Sequence, residues 1–149
     1  SLRWEFLRGD TALDTSVLVE IALATREGRF LVKLIVDETV TPYTTSLNVT
    51  EALYVLCRVL GFEEAERRMN LILDSGYFNV VSSERLSKLV AQCKCVFPVS
   101  IADCYTLALA KQYSIPALFY KPEKELQPIL EKVKEWIGNE ILFLAEYLR

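Results

Sequence analysis

The sequence predicts an α/β fold in which a parallel β-sheet is covered by α-helices on both faces. Short apolar segments that favour strands alternate with longer segments of helical periodicity along the whole chain. This alternation is typical of parallel sheets, because their crossover connections are usually helices. The chain has 149 residues and contains no internal repeat, linker or low-complexity tract, so a single domain over residues 1–149 is expected.

The first predicted elements are a strand and two helices. An apolar run predicts a short strand over residues 11–14, and apolar residues at helical spacing predict a helix over 16–26, with Gly28 marking its end. The segment RFLVKLIV, residues 29–36, is compatible with a helix or a strand. A helix is favoured because its apolar side chains form one face.

The middle of the chain contains the strongest helical pattern. Pro42 interrupts the preceding element, and β-prone residues predict a strand over 43–47. A helix from about residue 49 to 60 ends at a glycine, and an amphipathic helix over 61–76 lies between two glycines. A strand over 77–81 follows.

The last part of the chain alternates in the same way. Ser83 and Ser100 are predicted to cap helices that reach about Cys95 and Tyr113. A buried strand is expected over 115–120, a helix from Pro122 to about Ile137, and a last apolar strand within 140–148.

The composition excludes several classes of function. No histidine is present, which excludes Ser-His-Asp and Cys-His nucleophilic sites and histidine-ligated zinc. The net charge of −3 argues against a broad nucleic-acid-binding surface, although not against a local one. No apolar run approaches the ~20 residues of a membrane span.

The cysteines and the first residues bear on the cellular compartment. Cys57, Cys93, Cys95 and Cys104 lack the paired spacing of a zinc site, and we interpret them as reduced thiols in or near the core. The opening segment SLRWEFLRGD carries charges within its apolar stretch, unlike a signal peptide, and is either an early strand or a remnant added for expression. A cytoplasmic protein is therefore expected.

Four acidic residues are predicted to meet at one edge of the sheet. Asp14 ends the first strand, Glu51 and Asp103 lie one turn into helices, and Glu123 shortly follows the strand IPALFY. Ligands of open α/β sheets bind beyond the carboxyl ends of the strands, so these carboxylates are candidates for one site. Ser16 lies two residues after Asp14 and could hydrogen-bond its carboxylate or a metal-bound water, although it could equally be an ordinary residue of the first helical turn.

Each acid also has a purely structural interpretation. The motifs Asn48-Val-Thr-Glu51 and Ser100-Ile-Ala-Asp103 fit capping boxes, in which the acid reaches back to a backbone N–H. Asp14 could cap the first helix, and Glu123 could interact with a helix dipole after Pro122.

The surroundings of two acids favour a metal site over caps. Glu51 shares its helix with one other charged residue, Arg58, and Asp103 is the only charged residue of its helix before Lys111. Helices this apolar are expected to be buried on most sides, and a buried carboxylate needs a cation or a metal. Few cations lie near these acids, and all-oxygen ligands suit Mg²⁺ or Mn²⁺.

Three segments resemble PIN-domain ribonucleases, and most closely the VapC toxins of VapBC toxin–antitoxin pairs. They are LDTSVLVE with Asp14, SLNVTEALYVLCRVLG with Glu51, and VSIADCYTLALAKQYSIPALF with Asp103. The resemblance covers about residues 11–145, the expected core of a single PIN-like domain. It implies a three-layer α/β/α sandwich with a central parallel sheet, and an RNase that depends on Mg²⁺ or Mn²⁺. It also implies a homodimer that is inhibited by a cognate antitoxin.

The fourth acidic position departs from the family. The family often has an Asp there, frequently after a Thr, whereas this chain reads FYKPEKEL. Glu123 is the first candidate for that position and Glu125 the second.

The sequence therefore predicts an endoribonuclease that holds its metal through Asp14, Glu51 and Asp103. Glu123 would bind a second ion or orient the attacking water. Lys121, Lys124, Arg26 and Arg29 are candidates to steer the RNA backbone, with ordinary surface charge as the alternative.

Two other functions stay open at this point. One is a non-catalytic interaction module on the same fold, in which the acids are helix caps. The other is an acidic-pocket phosphatase or receiver, but Ser16 stands where a haloacid-type phosphatase needs a second Asp. The helices over 29–36 and 61–76 offer apolar faces for a second subunit or an antitoxin, with core packing as the alternative.

Overall fold

A computed structural model describes residues 7–149, in which five strands are separated by seven α-helices. The predicted early strand falls partly on residues 1–6, which lie outside the described part. The strands are β1 (Gly9–Leu13), β2 (Val40–Thr45), β3 (Asn79–Val81), β4 (Ala117–Phe119) and β5 (Ile141–Phe143). The helices are α1 (Thr15–Ala22), α2 (Arg26–Val36), α3 (Ser46–Leu60), α4 (Phe62–Asp74), α5 (Ser87–Val96), α6 (Ile101–Tyr113) and α7 (Leu130–Ile137). Short 3-10 turns lie at Ser83–Leu86, Gln127–Ile129 and Leu144–Leu148.

The strands form one parallel sheet in the order β3-β2-β1-β4-β5. Side chains of successive strand residues point to opposite faces of a sheet, and two buried apolar clusters result. Leu13 and Leu118 pack with residues of α1–α4 on one face. Ala12 and Ala117 pack on the other face with residues of α5–α7, including Ala108 of α6. The predicted three-layer α/β/α sandwich with a central parallel sheet is therefore confirmed.

The ambiguous segment 29–36 is helical, as favoured, and lies within α2. Gly28 does not end a helix, however, because α1 already stops at Ala22. It lies in the first turn of α2, where a Cβ atom would come within 2.1 Å of the Glu20 carbonyl oxygen. Only glycine allows α2 to cross α1 this closely.

The helix predicted from Pro122 to Ile137 is wrong in its first half. The chain there forms turns and the short 3-10 turn Gln127–Ile129, and α7 begins only at Leu130. Pro128 explains the difference, because a proline inside a helix removes a hydrogen-bond donor and clashes with the preceding turn. Glu123 consequently lies on a loop rather than in the first turn of a helix.

Two other helix predictions need correction. Ser83 does not cap a helix, since it lies inside the 3-10 turn and donates its backbone N–H to Ser46 Oγ at 2.9 Å. The helix over 49–60, here α3, is not buried on most sides, because Tyr54 and Val59 are 51% and 67% exposed.

The prediction that all four cysteines are reduced is wrong for two of them. Cys93 of α5 and Cys104 of α6 form a disulfide, whereas Cys57 and Cys95 are free. The packing of α5 on α6 brings the two Cα atoms to 5.7 Å, within the usual range for a disulfide. Sequence spacing could not reveal this pair, and cysteine content no longer supports a cytoplasmic location.

Within residues 7–149, no single helix is both long and apolar enough to cross a membrane. The segments Ser83–Val96 and Ile101–Tyr113 satisfy the length and composition only together, across a bend of 120°. Most residues of α6 are buried in the protein core.

The disulfide predicts a defined thiol count. Protein purified without reductant and then denatured should expose two reactive thiols, and reduction should raise the number to four. A cross-link between residues separated by 11 positions is expected to stabilise the fold by about 3 kcal/mol, since it restricts the unfolded chain. Chemical denaturation with and without a dithiol measures this loss.

The matched variants are Cys93→Ala and Cys57→Ala. The first should abolish the response to reductant and the second should keep it. Four reactive thiols in the unreduced wild type would contradict the disulfide.

Candidate metal centre

A cavity of about 390 Å³ opens at the carboxyl ends of β1 and β4. It contains all four acids predicted from the sequence. Its lining residues are Asp14, Thr15, Ser16, Val19, Glu20, Glu51, Val55, Ser100, Asp103, Tyr120 and Glu123. Residues far apart in the chain meet here because parallel strands end at the same edge of the sheet.

Asp14 follows β1 directly and is only 2% exposed. It caps α1 as one structural interpretation expected, because Oδ2 accepts hydrogen bonds from the Ser16 backbone N–H at 3.1 Å and from Ser16 Oγ at 2.8 Å. The hydrogen bond expected from Ser16 is thus present. Oδ1 accepts a hydrogen bond from Thr106 Oγ1 at 2.8 Å. Burial raises the pKa of Asp14 to about 6, although these hydrogen bonds oppose the shift.

Asp103 lies in the first turn of α6 and is 4% exposed. Its backbone N–H donates to Ser100 Oγ at 3.0 Å, which is half of the predicted capping box. Its Oδ2 atom is the one buried side-chain oxygen or nitrogen without a hydrogen-bond partner among the described residues. Burial and the neighbouring charges of Asp14 and Glu123 raise the pKa of Asp103 to about 8.

Glu51 projects into the cavity from α3 and does not cap that helix. The predicted capping box from Asn48 to Glu51 is wrong, because Thr45 is the N-cap and its Oγ1 accepts from the Asn48 N–H at 3.1 Å. The helix begins three residues earlier than predicted, so Glu51 lies in its second turn, beyond the reach of a capping box.

Glu123 reaches the cavity from the loop that follows β4. Its negative charge contributes to the raised pKa of both Asp14 and Asp103, so its carboxylate lies close to theirs. Glu125 is exposed and is not among the cavity residues. Of the two candidates for the fourth acid, the structure brings Glu123 to the site.

Three further cavity neighbours were missed from the sequence. Glu20 lies one turn after Ser16 on α1, a spacing that could have indicated a shared face. The Tyr120 backbone N–H donates to Ser16 Oγ at 3.0 Å. The third, Thr106, was hidden in an apolar helix, where its contact with Asp14 depends on tertiary packing.

The donor set fits a hard divalent cation. Among residues 7–149, no three acidic or cysteine side chains already lie close enough to form a ready ligand cluster. The cavity nevertheless gathers carboxylates and holds the pKa values of two acids above their usual range. It also leaves one buried oxygen of Asp103 without a partner in the described part of the chain. A divalent cation would satisfy that oxygen and offset the repulsion between the carboxylates.

The PIN domain family model matches residues 11–121 of the chain, whereas no curated protein sequence matches significantly. The Mycobacterium tuberculosis toxin VapC20, described as cleaving the sarcin-ricin loop, is 16% identical with a TM-score of 0.62, covering 79% of this chain and 93% of its own. VapBC2 of Rickettsia felis, bound to a promoter DNA fragment, is 12% identical with a TM-score of 0.60, covering 89% and 96%. FitAcB of Neisseria gonorrhoeae is 16% identical with a TM-score of 0.57, covering 90% and 97%. These structures share the fold of this chain.

The raised pKa values predict that the metal-free protein loses stability as pH rises. Asp14 and Asp103 bind protons more tightly in the folded than in the unfolded chain, whose carboxyl pKa is near 3.9. Unfolding therefore releases protons between about pH 4 and pH 8. The free energy of unfolding should fall by up to about 1.4 kcal/mol per pH unit for each proton released, as measured by urea titration in EDTA.

Asp103→Asn should remove most of the fall between pH 6 and pH 8, and the exposed Asp74→Asn should keep it. Mn²⁺ should stabilise the wild type more at pH 8 than at pH 5, because only ionised carboxylates bind it. Equal slopes for wild type and Asp103→Asn would show that the buried pair does not cause the effect.

Proposed function

This chain belongs to the PIN domain family, whose model matches residues 11–121, and on that premise we propose that it is a metal-dependent endoribonuclease. The proposal includes the role of toxin in a toxin–antitoxin pair. The match to the family model confirms the PIN-domain resemblance expected from the sequence. The observation that carries the proposal is the buried Oδ2 atom of Asp103, which has no hydrogen-bond partner among residues 7–149 and lies in a cavity lined by carboxylates.

The proposed ligands of Mg²⁺ or Mn²⁺ are the carboxylates of Asp14, Glu51, Asp103 and Glu123. When bound, such an ion activates water and stabilises the negative charge that develops on a phosphodiester during hydrolysis. Asp14 enters this arrangement with a fixed orientation, because Ser16 and Thr106 bind its two oxygens. Asp103 contributes an oxygen with no competing hydrogen bond in the described structure.

Glu123 has a different proposed role, because it is exposed on a loop while the two Asp residues are buried. From the open side of the cavity, its carboxylate can orient the attacking water or contribute to a second ion. Lys121 and Lys124 flank the same loop and are proposed to draw the RNA backbone towards the acids.

A second basic surface lies near the end of the chain. A groove of about 780 Å³ is lined by Arg26, Arg29, Phe30, Lys33, Tyr147, Leu148 and Arg149. The Arg26 guanidinium donates to the Leu148 carbonyl, which connects α2 to the last residues. We propose that this groove contacts phosphates of the RNA beyond the cleavage site.

The structural neighbours support a toxin with a protein partner. VapC20 is described as a toxin that cleaves the sarcin-ricin loop. A structure from Klebsiella pneumoniae, 12% identical with a TM-score of 0.58, is described as a toxin–antitoxin complex. In this chain, α3 and α4 expose Tyr54, Val59, Phe62 and Leu71. We propose that these faces bind a second copy of the chain or an antitoxin helix. Cellular RNA as substrate implies action in the cytoplasm.

One observation favours the alternative of a non-catalytic interaction module. Asp14 caps α1, and Ser100 caps α6 beside Asp103, so both acids occupy positions at helix N-termini. Simple caps would not bind a metal. A thermal melt with Mn²⁺ separates the two functions, because unpartnered carboxylates should be stabilised and caps should not.

The nuclease proposal predicts metal-dependent cleavage of a structured RNA. Wild-type protein with Mg²⁺ or Mn²⁺ should cut, and EDTA should abolish cutting. Asp14→Asn should lower the rate by more than about 100-fold, since even outer-shell partners of metal ligands are worth 10- to 100-fold. Gel-resolved cleavage of an end-labelled RNA measures these rates. Cleavage that resists EDTA would refute metal catalysis, and full activity of Asp14→Asn would refute the assignment of Asp14 as a metal ligand.

Glu123→Gln and Glu125→Gln form a matched pair for the fourth acid. The two residues share the loop and are both exposed, but only Glu123 lines the cavity. Glu123→Gln should lower the rate and Glu125→Gln should not. The reverse result would move the fourth acid to Glu125.

The partner proposal predicts an oligomer. The purified chain should elute from gel filtration as a dimer, or form a complex with a small protein co-expressed from the adjacent gene. Leu71→Glu and Val59→Glu should weaken whichever assembly forms, because they place charge in the exposed apolar faces. A monomer under both conditions would argue against the proposed interface.

A further inference from the structure

The side chain of Asn48 is completely buried at the start of α3 and makes an unusually full set of hydrogen bonds. Its Nδ2 atom lies 3.0 Å from Thr15 Oγ1, 3.3 Å from the Ala102 carbonyl oxygen and 3.2 Å from Thr106 Oγ1. Its Oδ1 atom accepts from Thr45 Oγ1 at 2.6 Å. A buried amide is costly unless its donors and acceptors are satisfied, and here they are.

This amide leads directly to the proposed metal site through Thr106. Thr106 Oγ1 donates to Asp14 Oδ1 at 2.8 Å. The same hydroxyl also lies 3.4 Å from the Ala102 carbonyl oxygen of its own helix, which is the longer of its two contacts. An ionised carboxylate can only accept, so the hydroxyl proton of Thr106 is assigned to the shorter bond to Asp14, and its oxygen accepts from Asn48. The direction of the chain from Asn48 through Thr106 to Asp14 is therefore fixed by chemistry.

This series of hydrogen bonds connects the three segments that carry Asp14, Glu51 and Asp103. Asn48 lies three residues before Glu51 on α3. Its Nδ2 atom contacts the carbonyl oxygen of Ala102, the residue before Asp103 on α6. Thr106 lies one turn further along the same helix. The hydrogen bond from Thr106 connects Asn48 to Asp14, and the hydrogen bond from Asn48 to Thr15 connects it to the first residue of α1.

Helix capping does not account for the Asn48 side chain. Thr45 caps α3 by accepting from the backbone N–H of Asn48, a bond that any residue except proline could make. The immediate neighbours of the amide are polar, since Thr15, Thr45 and Thr106 all hydrogen-bond to it. The side chain of Asn48 is therefore not required to start the helix.

We infer that Asn48 and Thr106 are positioning residues that hold the Asp14 carboxylate in the orientation required to bind a divalent cation. The inference rests on the proposed function, since it concerns the same site. Neither residue lines the cavity, so both act through Asp14 rather than on substrate or metal. Hydrogen bonds to the ligands of a metal commonly set its affinity in this way.

The test compares Thr106→Val with Thr44→Val. Both threonines are completely buried and each donates one hydrogen bond near the end of β1, Thr106 to the Asp14 carboxylate and Thr44 to the Leu13 carbonyl at 3.1 Å. Both changes keep the shape of the side chain and remove its hydroxyl. Isothermal titration calorimetry with Mn²⁺ on metal-free protein gives the affinity of each variant.

Thr106→Val should weaken Mn²⁺ binding by about 10- to 100-fold, and Thr44→Val should leave it within about twofold of the wild type. Thr106→Ser should restore binding, because it returns the hydroxyl. Asn48→Leu should also weaken binding, and combining it with Thr106→Val should add little, since both act through one chain of hydrogen bonds. Thr106→Val should also turn the Asp14 carboxylate in a metal-free crystal structure.

Each outcome decides the inference. Wild-type affinity in Thr106→Val, or an equal loss in both valine variants, would show that the network is only structural and overturn the inference alone. A wild-type protein that binds no Mn²⁺ would overturn the proposed function and the inference together.

Discussion

The whole arrangement depends on the burial of two like-charged groups, Asp14 and Asp103, at one edge of the sheet. Their carboxylates come from distant parts of the sequence and are both less than 5% exposed. Such a pair is unfavourable in a protein core unless something offsets its charge. The fold offsets part of this cost with hydrogen bonds to Asp14, but it leaves an oxygen of Asp103 without a partner among residues 7–149. A pair of buried carboxylates with such an available oxygen is suited to binding a cation.

The sheet order explains why these acids meet, and it is also the part of the structure that the sequence predicts best. Strand and helix periodicities alternate clearly enough to indicate a parallel sheet, and parallel strands bring the residues that follow them to one edge. Asp14 could therefore be selected from its position directly after β1, whereas Asp103 was selected as the only charged residue of its apolar helix before Lys111. Glu123 could be selected as well, although its helix was predicted wrongly, because only its place after β4 mattered.

Apart from the helix start displaced by Pro128, the features that escaped prediction depend on tertiary contact. The bond between Cys93 and Cys104 requires α5 to pack on α6, and no spacing rule contains that information. The helix start at Thr45 rather than Asn48 was decided by a buried network in which Asn48 turns inward. In the sequence, Thr106 is one polar residue of an apolar helix, and only the folded structure shows that its hydroxyl donates to Asp14. Local signals locate elements and acids, but they do not show which polar groups support them.

The small side chains between the sheet and α6 affect the distance between the two buried acids. Ala12 and Ala117 of the sheet and Ala108 of α6 are completely buried in one cluster, so only methyl groups separate the helix backbone from the strands. The gap between the two buried acids is thus set partly by residues that carry no charge at all. Enlarging one alanine would act as a spacer that lifts α6 with Asp103 away from Asp14. Such a packing substitution would change the distance between the two acids while every carboxylate stays the same.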